Sequence, residues 1–204
     1  MLSLRAGESI VHSAPLLVIR ALGKRFRAGV SGCWADARAL VDVNLDIRRG
    51  EIVALVGAGA AGKTTLLRCA GRLLVPDEGL VEHVRGVDGR ESVVRYFDHC
   101  VQAERAAVRG GDRWDIALID DVDRARSEVG AAFALVRIVA RARGEGSSLL
   151  LAAREPSVVR ELSDRVLTMA QGRLIDRVGT ARSAVARVAE CPPLTVIPGA
   201  PSIR

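Results

Sequence analysis

A loop rich in glycine and alanine has the residue types and spacing needed to bind phosphate. In the stretch LVGAGAAGKTT, the first and the last of three glycines are separated by four residues, and lysine and threonine follow the last one. Small side chains let successive backbone N–H groups approach phosphate oxygens. The pattern predicts a nucleotide phosphate site formed by Gly57, Ala58, Gly59, Ala60, Ala61, Gly62, Lys63, Thr64 and Thr65.

Two side chains of this loop have expected roles of their own. Lys63 is one of only two lysines in a chain that otherwise uses arginine, the other being Lys24. An ammonium is a compact charge that reaches the β- and γ-phosphates, and the wide guanidinium fork of arginine is a poor substitute for it. We expect the Thr64 hydroxyl to be a ligand of Mg²⁺.

The loop lies between two segments that would position it. EIVALVG is a continuous apolar run, which is typical of a strand buried on both faces. KTTLLRCAGRLL predicts a helix that stops before Pro76, and its N-terminal partial positive charge would favour a bound phosphate. This strand–loop–helix context supports the phosphate site.

The segments before the loop predict β-structure. PLLVIRALGKRF predicts a short strand that leads into a loop at Gly23 or beyond. In ALVDVNLDIRRGE, apolar and polar residues alternate strictly, which indicates an antiparallel strand with one wet face, followed by a tight turn at Arg48-Arg49-Gly50.

The segments after the loop alternate between strands and helices. GLVEHVRG predicts a strand, residues 90–108 fit either a helix or a strand, and DIALIDD and SSLLLAARE predict buried strands. SEVGAAFALVRIVARAR predicts a helix with Ala132, Leu135, Val136 and Val139 on one face, and SVVRELSD predicts a short helix. RVLTMAQGRLID predicts a hairpin that turns at Gln171-Gly172.

The predicted fold class is α/β. It has a mostly parallel sheet core flanked by helices, with an antiparallel β part at the N-terminal side. We expect one domain over residues 14–178 and a weakly structured tail over residues 179–204, where four prolines accompany a weak pattern.

Composition argues against several classes of protein. No apolar run reaches the roughly 18 residues of a membrane span, and no signal-peptide pattern opens the chain, so we expect a cytoplasmic protein. The cysteines are scattered without a CxxC pair, which favours reduced thiols over a metal or disulfide framework. The net charge is +6, but aromatic residues make up only 3%, so a nucleic-acid partner is not expected.

The run from LVIRALGKRF to PDEGLV, and the later stretches DRWDIALIDD, LLLAAREP and LSDRVLTMAQGRLI, resemble the ATP-binding cassette (ABC) family. The resemblance implies a P-loop NTPase fold, ATP and Mg²⁺ as ligands, and either a homodimer or a membrane permease as partner, with the chain cytoplasmic or peripheral at the inner face of the membrane. It also implies that Phe26 stacks on adenine, with Trp34 as the alternative, and that Asp120 holds Mg²⁺. A Phe packed under a loop remains the other interpretation of Phe26.

Two residues depart from the pattern of the family. Asp121 stands where an active cassette has the glutamate that polarises the attacking water, and its shorter side chain predicts slower hydrolysis. Arg154 stands where the family has a histidine. It is either a cation that holds the transferring phosphoryl group or a partner of Glu155 or another neighbour in a surface ion pair. Asp123 is either a substitute for Asp121 or a helix cap.

The interval from Thr65 to Asp120 spans 55 positions, about half the length in a full cassette. It contains no convincing Leu-Ser-Gly-Gly-Gln signature, because Gly110-Gly111 lies too close to Asp120. Its single glutamine, Gln102, is a weak candidate for contact with Mg²⁺. The family's helical subdomain is therefore expected to be reduced or absent.

The expected function is that of an ABC-type ATP-binding protein whose hydrolysis is weak or depends on a partner, because the signature normally aims donors at the other subunit's nucleotide. The alternative from another class is a nucleotide-gated module that does not hydrolyse. A small P-loop kinase is a third option, which the half-wet strand before the loop and the C-terminal hairpin disfavour.

Overall fold

The computed structural model describes residues 15–30, 33–85, 89–109 and 113–178. Its central sheet has six strands in the order β5-β6-β7-β3-β8-β9, parallel except for the β8–β9 hairpin. These strands are β3 (Ile52–Val56), β5 (Val94–Phe97), β6 (Ile116–Ile119), β7 (Ser148–Ala153), β8 (Arg165–Ala170) and β9 (Arg173–Val178). The predicted parallel core and the hairpin are confirmed. The predicted tail, residues 179–204, lies outside the described residues.

A second, antiparallel sheet has the strand order β2-β1-β4. Its strands are β1 (Pro15–Val30), β2 (Cys33–Arg48) and β4 (Glu78–His83). The strand predicted over PLLVIRALGKRF is present but longer than expected, because β1 continues through Gly23 to Val30. The pairing of β1 with β2 shifts register on both sides of Leu22, which lets the long hairpin bend without ending.

Four helices lie within the described ranges: α1 (Lys63–Ala70), α2 (Cys100–Val108), α3 (Arg124–Ser127) and α4 (Val129–Glu145). The first ends earlier than predicted, because Gly71 caps it and Arg72 adopts a φ of +59°. The ambiguous segment 90–108 contains both a strand, β5, and a helix, α2. The helix predicted for SVVRELSD is only a 3-10 turn over Pro156–Val158.

The central sheet is buried on both faces, which explains its continuous apolar strands. One face packs against α2 and α4, and the other packs against α1 and the antiparallel sheet. On α4, Leu135 and Val139 are buried as predicted, but Val136 is 40% exposed. The buried stripe of α4 instead includes Ala131, Ala134, Ile138 and Ala142, because α4 packs against α2 as well as the sheet.

The connection from β5 to β6 is short. Its described part consists of the nine-residue helix α2 and the residues next to it, and only residues 110–112 are not described. The predicted reduction of the helical subdomain is therefore confirmed for the described residues.

Candidate functional site

The glycine-rich loop joins the carboxyl end of β3 to the start of α1. A Cβ on Gly57 would lie 2.1 Å from the carbonyl oxygen of Met169, and one on Gly62 would lie 2.4 Å from that of Ala39. Gly62 also has a φ of +106°. Both glycines are therefore required by the close approach of the loop to the β8–β9 hairpin and to β2.

The loop presents many backbone donors without acceptors. Within the described part of the chain, no hydrogen bond is donated by the backbone N–H groups of Ala58, Gly59, Ala60, Gly62, Lys63, Thr64 and Thr65. Ala58, Gly59 and Ala60 are exposed, so these donors are accessible from solvent. A set of free N–H groups at the start of a helix fits the oxygens of a phosphate chain.

The ammonium of Lys63 folds back over the loop. Its Nζ donates hydrogen bonds to the carbonyl oxygens of Gly57 at 2.6 Å and Ala58 at 2.9 Å. Burial lowers the pKa of Lys63, the carboxylates of Asp123 and Asp120 oppose that shift, and the guanidinium of Arg154 adds to it. The lysine therefore lies within electrostatic reach of three charged groups from the ends of β6 and β7.

Sheet topology explains why these groups meet. Strands β6, β7 and β3 are consecutive parallel neighbours, so their carboxyl ends share one edge of the sheet. Asp120 follows β6, Arg154 follows β7 and the phosphate loop follows β3. That edge is where open α/β sheets bind ligands.

Asp120 is nearly buried, at 9% exposed. Its Oδ1 accepts a hydrogen bond from the N–H of Asp121 at 3.0 Å, and its Oδ2 accepts one from the hydroxyl of Tyr96 at 3.3 Å. Each oxygen keeps a lone pair for a further partner. Together with the exposed hydroxyl of Thr64, this carboxylate suits water-mediated binding of Mg²⁺ to a nucleotide.

Asp121 is oriented differently. It has a φ of +43°, and its Oδ2 lies 3.3 Å from the Nε of Arg124 in the next turn of the chain. Its side chain is 46% exposed. It directly follows Asp120 in sequence, and its carboxylate is paired with a neighbouring arginine.

Asp123 does not have the helix-cap role considered from the sequence. It precedes α3 but makes no side-chain hydrogen bond to that helix. Its carboxylate instead accepts hydrogen bonds from the backbone N–H groups of Arg154 at 2.6 Å and Glu155 at 3.4 Å. This long-range contact leaves no local pattern in the sequence.

The side chain of Arg154 is exposed and forms no ion pair with another described residue. Glu155, the partner considered from the sequence, pairs with Arg126 instead. Near Lys63, the Arg154 guanidinium is a cation without a carboxylate partner among the described residues.

Phe26, expected to stack on adenine, lies in the β1–β2 hairpin opposite Ala37. It is 42% exposed, and the ammonium of Lys24 lies 5.8 Å from the centroid of its ring. Its ring is therefore partly exposed to solvent. The side chain of the alternative, Trp34, lies outside the described part of the structure.

Gln102 is part of the N-terminal cap of α2. Its Oε1 accepts a hydrogen bond from the N–H of Asp98 at 2.8 Å, and its own N–H donates to Nδ1 of His99 at 3.3 Å. The arrangement resembles a capping box, except that the Gln102 side chain bonds to Asp98, the residue before the N-cap His99. The structure thus assigns its amide oxygen to the helix end.

Tyr96 is a site residue that the sequence did not identify. It lies on β5 opposite Leu118 of β6, which brings its hydroxyl to the oxygen of Asp120. Because the segment 90–108 fitted both a helix and a strand, the pairing of Tyr96 with Leu118 could not be predicted from the sequence.

The helices were also compared with the length and hydropathy that a membrane span requires. None of the helices in the described part of the chain meets both requirements.

Residues 40–148 match the family model described as ABC transporter. The chain is 28% identical over 186 residues to the zinc import ATP-binding protein ZnuC of Brucella suis, covering 68% of this chain and 62% of that protein. It is 34% identical over 142 residues to the lipoprotein-releasing system ATP-binding protein LolD of Bordetella pertussis, with coverages of 63% and 59%. A shorter match, 49% identical over 63 residues, links 31% of the chain to 25% of the phosphonates import ATP-binding protein PhnC 1 of Natronomonas pharaonis. The chain thus spans less than two thirds of each of these relatives.

Solved structures share the fold. A nucleotide-free ATP-binding cassette from an ABC transporter matches with a TM-score of 0.60 and 14% identity, over 88% of this chain and 96% of that one. A dimeric cassette bound to ADP and Pi matches with a TM-score of 0.59 and 14% identity, over 80% of this chain and 98% of that one. At this identity the likeness concerns the arrangement of strands and helices.

Proposed function

The chain belongs to the ABC transporter family, and on that premise we propose that it is the ATP-binding component of an ABC-type transport system. It binds Mg-ATP at the loop 57–65. One observation carries this proposal: free backbone N–H groups surround an ammonium at the start of a helix, beside a nearly buried carboxylate. In this arrangement the loop and Lys63 bind the phosphates, and Thr64 and Asp120 hold Mg²⁺.

Members of the family generally bind ATP with Mg²⁺ and generally hydrolyse it. For this chain we propose slow or partner-dependent hydrolysis, with Asp121 directing the water and Arg154 facing the γ-phosphate. Phe26 supplies the contact with adenine. Slow turnover is supported by the short side chain of Asp121, by its ion pair with Arg124 and by the short connection from β5 to β6.

The partners in this proposal follow from the family. Residues 14–178 form the nucleotide-binding domain, which assembles as a homodimer or with a membrane permease at the cytoplasmic face of the membrane. The relatives import zinc or phosphonates or release lipoproteins according to their names.

The test is nucleotide binding and phosphate release by the purified chain, with ATP and GTP, with and without Mg²⁺. Wild type is compared with Lys63→Ala and Asp121→Asn. We expect ATP binding that Lys63→Ala abolishes and Asp121→Asn preserves, with Mg²⁺-dependent phosphate release lost in both variants. Absence of binding to ATP and GTP at millimolar concentration would refute the proposal.

A second candidate is a module that binds ATP and switches a partner by occupancy without hydrolysis. The pairing of Asp121 with Arg124 favours it, because the contact directs the carboxylate towards Arg124, whereas a general base must lie within hydrogen-bond reach of the attacking water. The same assay separates the two functions. Tight binding without phosphate release, in wild type as in Asp121→Asn, is the result expected of the switch.

A further inference from the structure

One peptide group connects the phosphate loop to the turn that follows β6. The carbonyl oxygen of Ala153 accepts a hydrogen bond from the N–H of Gly57 at 3.2 Å. The N–H on the other side of the same peptide bond, that of Arg154, donates to Oδ2 of Asp123 at 2.6 Å. Asp123 thus contacts the first residue of the phosphate loop through a single planar unit.

The physical consequence follows from peptide geometry. The peptide plane is rigid, so fixing its N–H also fixes the direction of its carbonyl oxygen. A short hydrogen bond to a carboxylate is charge-assisted, and it polarises the peptide so that the carbonyl becomes a better acceptor. Both effects hold Gly57 at the end of β7.

Other contacts join the same segments without reaching the phosphate loop. The N–H of Val122 donates to the carbonyl oxygen of Ala152 at 3.1 Å, and Arg126 pairs with Glu155. Neither contact involves the peptide between Ala153 and Arg154. These two contacts do not involve the Asp123 side chain, so a variant of Asp123 retains them and changes only its own contacts.

We propose that Asp123 is a positioning residue, which orders the phosphate loop and the backbone of Arg154 through the peptide group that joins Ala153 to Arg154. This inference rests on the proposed nucleotide site and adds to it a residue that acts through others. Through this peptide group, the turn that carries Asp121 is connected by hydrogen bonds to the loop proposed to bind the phosphates.

Charge and hydrogen bonding must be separated in the test. The negative charge of Asp123 lies near Lys63 and would repel a triphosphate. Asp123→Asn removes the charge but keeps an oxygen acceptor for the N–H of Arg154, whereas Asp123→Ala removes both. The ratio between these two variants therefore reports the acceptor alone.

The first measurement is amide hydrogen exchange in the ligand-free protein, resolved at Gly57 and Arg154. We expect exchange at both amides to be on the order of tenfold faster in Asp123→Ala than in Asp123→Asn. Glu155→Ala is the matched control, because it removes the ion pair with Arg126 and leaves the hydrogen bonds of Asp123 in place. Its exchange at Gly57 should equal that of wild type. Equal exchange at Gly57 in the alanine and asparagine variants would overturn the inference.

The second measurement is the affinity for Mg-ATP. We expect the dissociation constant of Asp123→Ala to exceed that of Asp123→Asn by about fivefold, since disorder in the loop must be removed on binding. A ratio below about twofold, with ATP bound by wild type, refutes the positioning role. If wild type binds no ATP, the proposed function fails, and the exchange rates at Gly57 still decide whether Asp123 orders the loop.

Discussion

The ammonium of Lys63 lies 2.6 Å from the carbonyl oxygen of Gly57, so this lysine binds the loop that precedes it. Burial lowers its pKa below the ordinary value for lysine. Phosphate oxygens carry full charge and favour the protonated ammonium, so bound ATP raises this pKa again. At a pH between the pKa of Lys63 in the ligand-free protein and its pKa in the ATP complex, ATP binding takes up a proton. In this range the affinity for ATP falls as the pH rises.

Calorimetry in buffers with different ionisation heats measures this proton directly. We expect greater proton uptake at alkaline pH than at neutral pH, because the lowered pKa of Lys63 leaves more of the ligand-free side chain deprotonated as the pH rises. The stability of the ligand-free fold depends on pH in the opposite direction from the affinity for ATP. It increases as the pH rises through the lowered pKa of Lys63, because the unfolded chain binds more protons than the folded chain in that range. Equal proton exchange at both pH values would contradict the assignment.

Gly57→Ala is expected to destabilise the fold strongly. The added Cβ would meet the carbonyl oxygen of Met169 at 2.1 Å, so the loop or the β8–β9 hairpin must move. We expect a loss of about 3 kcal/mol in the free energy of unfolding. Chemical denaturation of the ligand-free protein measures it.

Gly59→Ala is the matched control in the same loop. A Cβ at Gly59 would meet no atom within 4 Å, and no positive φ constrains the residue. Its unfolding free energy should stay within about 0.5 kcal/mol of wild type. Similar losses in both variants would mean that loop flexibility, rather than the contact with Met169, dominates.

Local patterns were sufficient to predict the strand, loop and helix around residues 57–65 and the parallel core. Continuous apolar runs identified the strands β3, β6 and β7, and alternation in 41–47 identified the half-wet strand, because each pattern reflects which faces of its own element are buried. Gln171-Gly172 predicted the turn of the hairpin, where both residues have positive φ.

Features that depend on partners distant in sequence were missed. The contact of Asp123 with the backbone of Arg154 joins the ends of two strands, and no local spacing reports it. The extension of β1 through Gly23 depends on pairing with β2 and β4. The buried stripe of α4 was misplaced because α2, its second packing partner, was not assigned.

Asp164 is expected to be sensitive to substitution, because its ion pair with Arg143 is partly buried. Its Oδ2 accepts hydrogen bonds from the N–H of Ile52 at 2.9 Å and from Nη1 of Arg143 at 2.8 Å, and its Oδ1 accepts one from Nη2 of Arg143 at 2.5 Å. Removing it leaves a partly buried guanidinium without its carboxylate. We expect Asp164→Ala to cost about 2 kcal/mol in the free energy of unfolding.

Asp36→Ala provides the comparison, because Asp36 pairs with Arg27 at 3.6 Å with both side chains largely exposed. Its cost should be below about 0.5 kcal/mol. Thermal and urea denaturation measure both variants. A cost for Asp164→Ala as small as that for Asp36→Ala would show that the bidentate pair adds nothing to stability.

Substitution of Arg154 tests whether this residue is a cation that contacts the γ-phosphate or a surface residue without that role. Its guanidinium is exposed, forms no ion pair with a described residue and lies near Lys63. Removing it should therefore leave the unfolding free energy within about 0.5 kcal/mol of wild type. If it faces the γ-phosphate, Arg154→Ala should weaken ATP binding by about tenfold and leave ADP binding within about twofold, because only ATP carries that group. Arg154→Lys should recover part of the loss, since a point charge replaces the planar fork.

The control is Arg160→Ala, which is also at an exposed position after β7 and should change the affinity for neither ATP nor ADP. Titration with ATP and ADP gives the answer whether or not the chain hydrolyses ATP, and an unchanged preference for ATP over ADP would show that Arg154 does not sense the γ-phosphate.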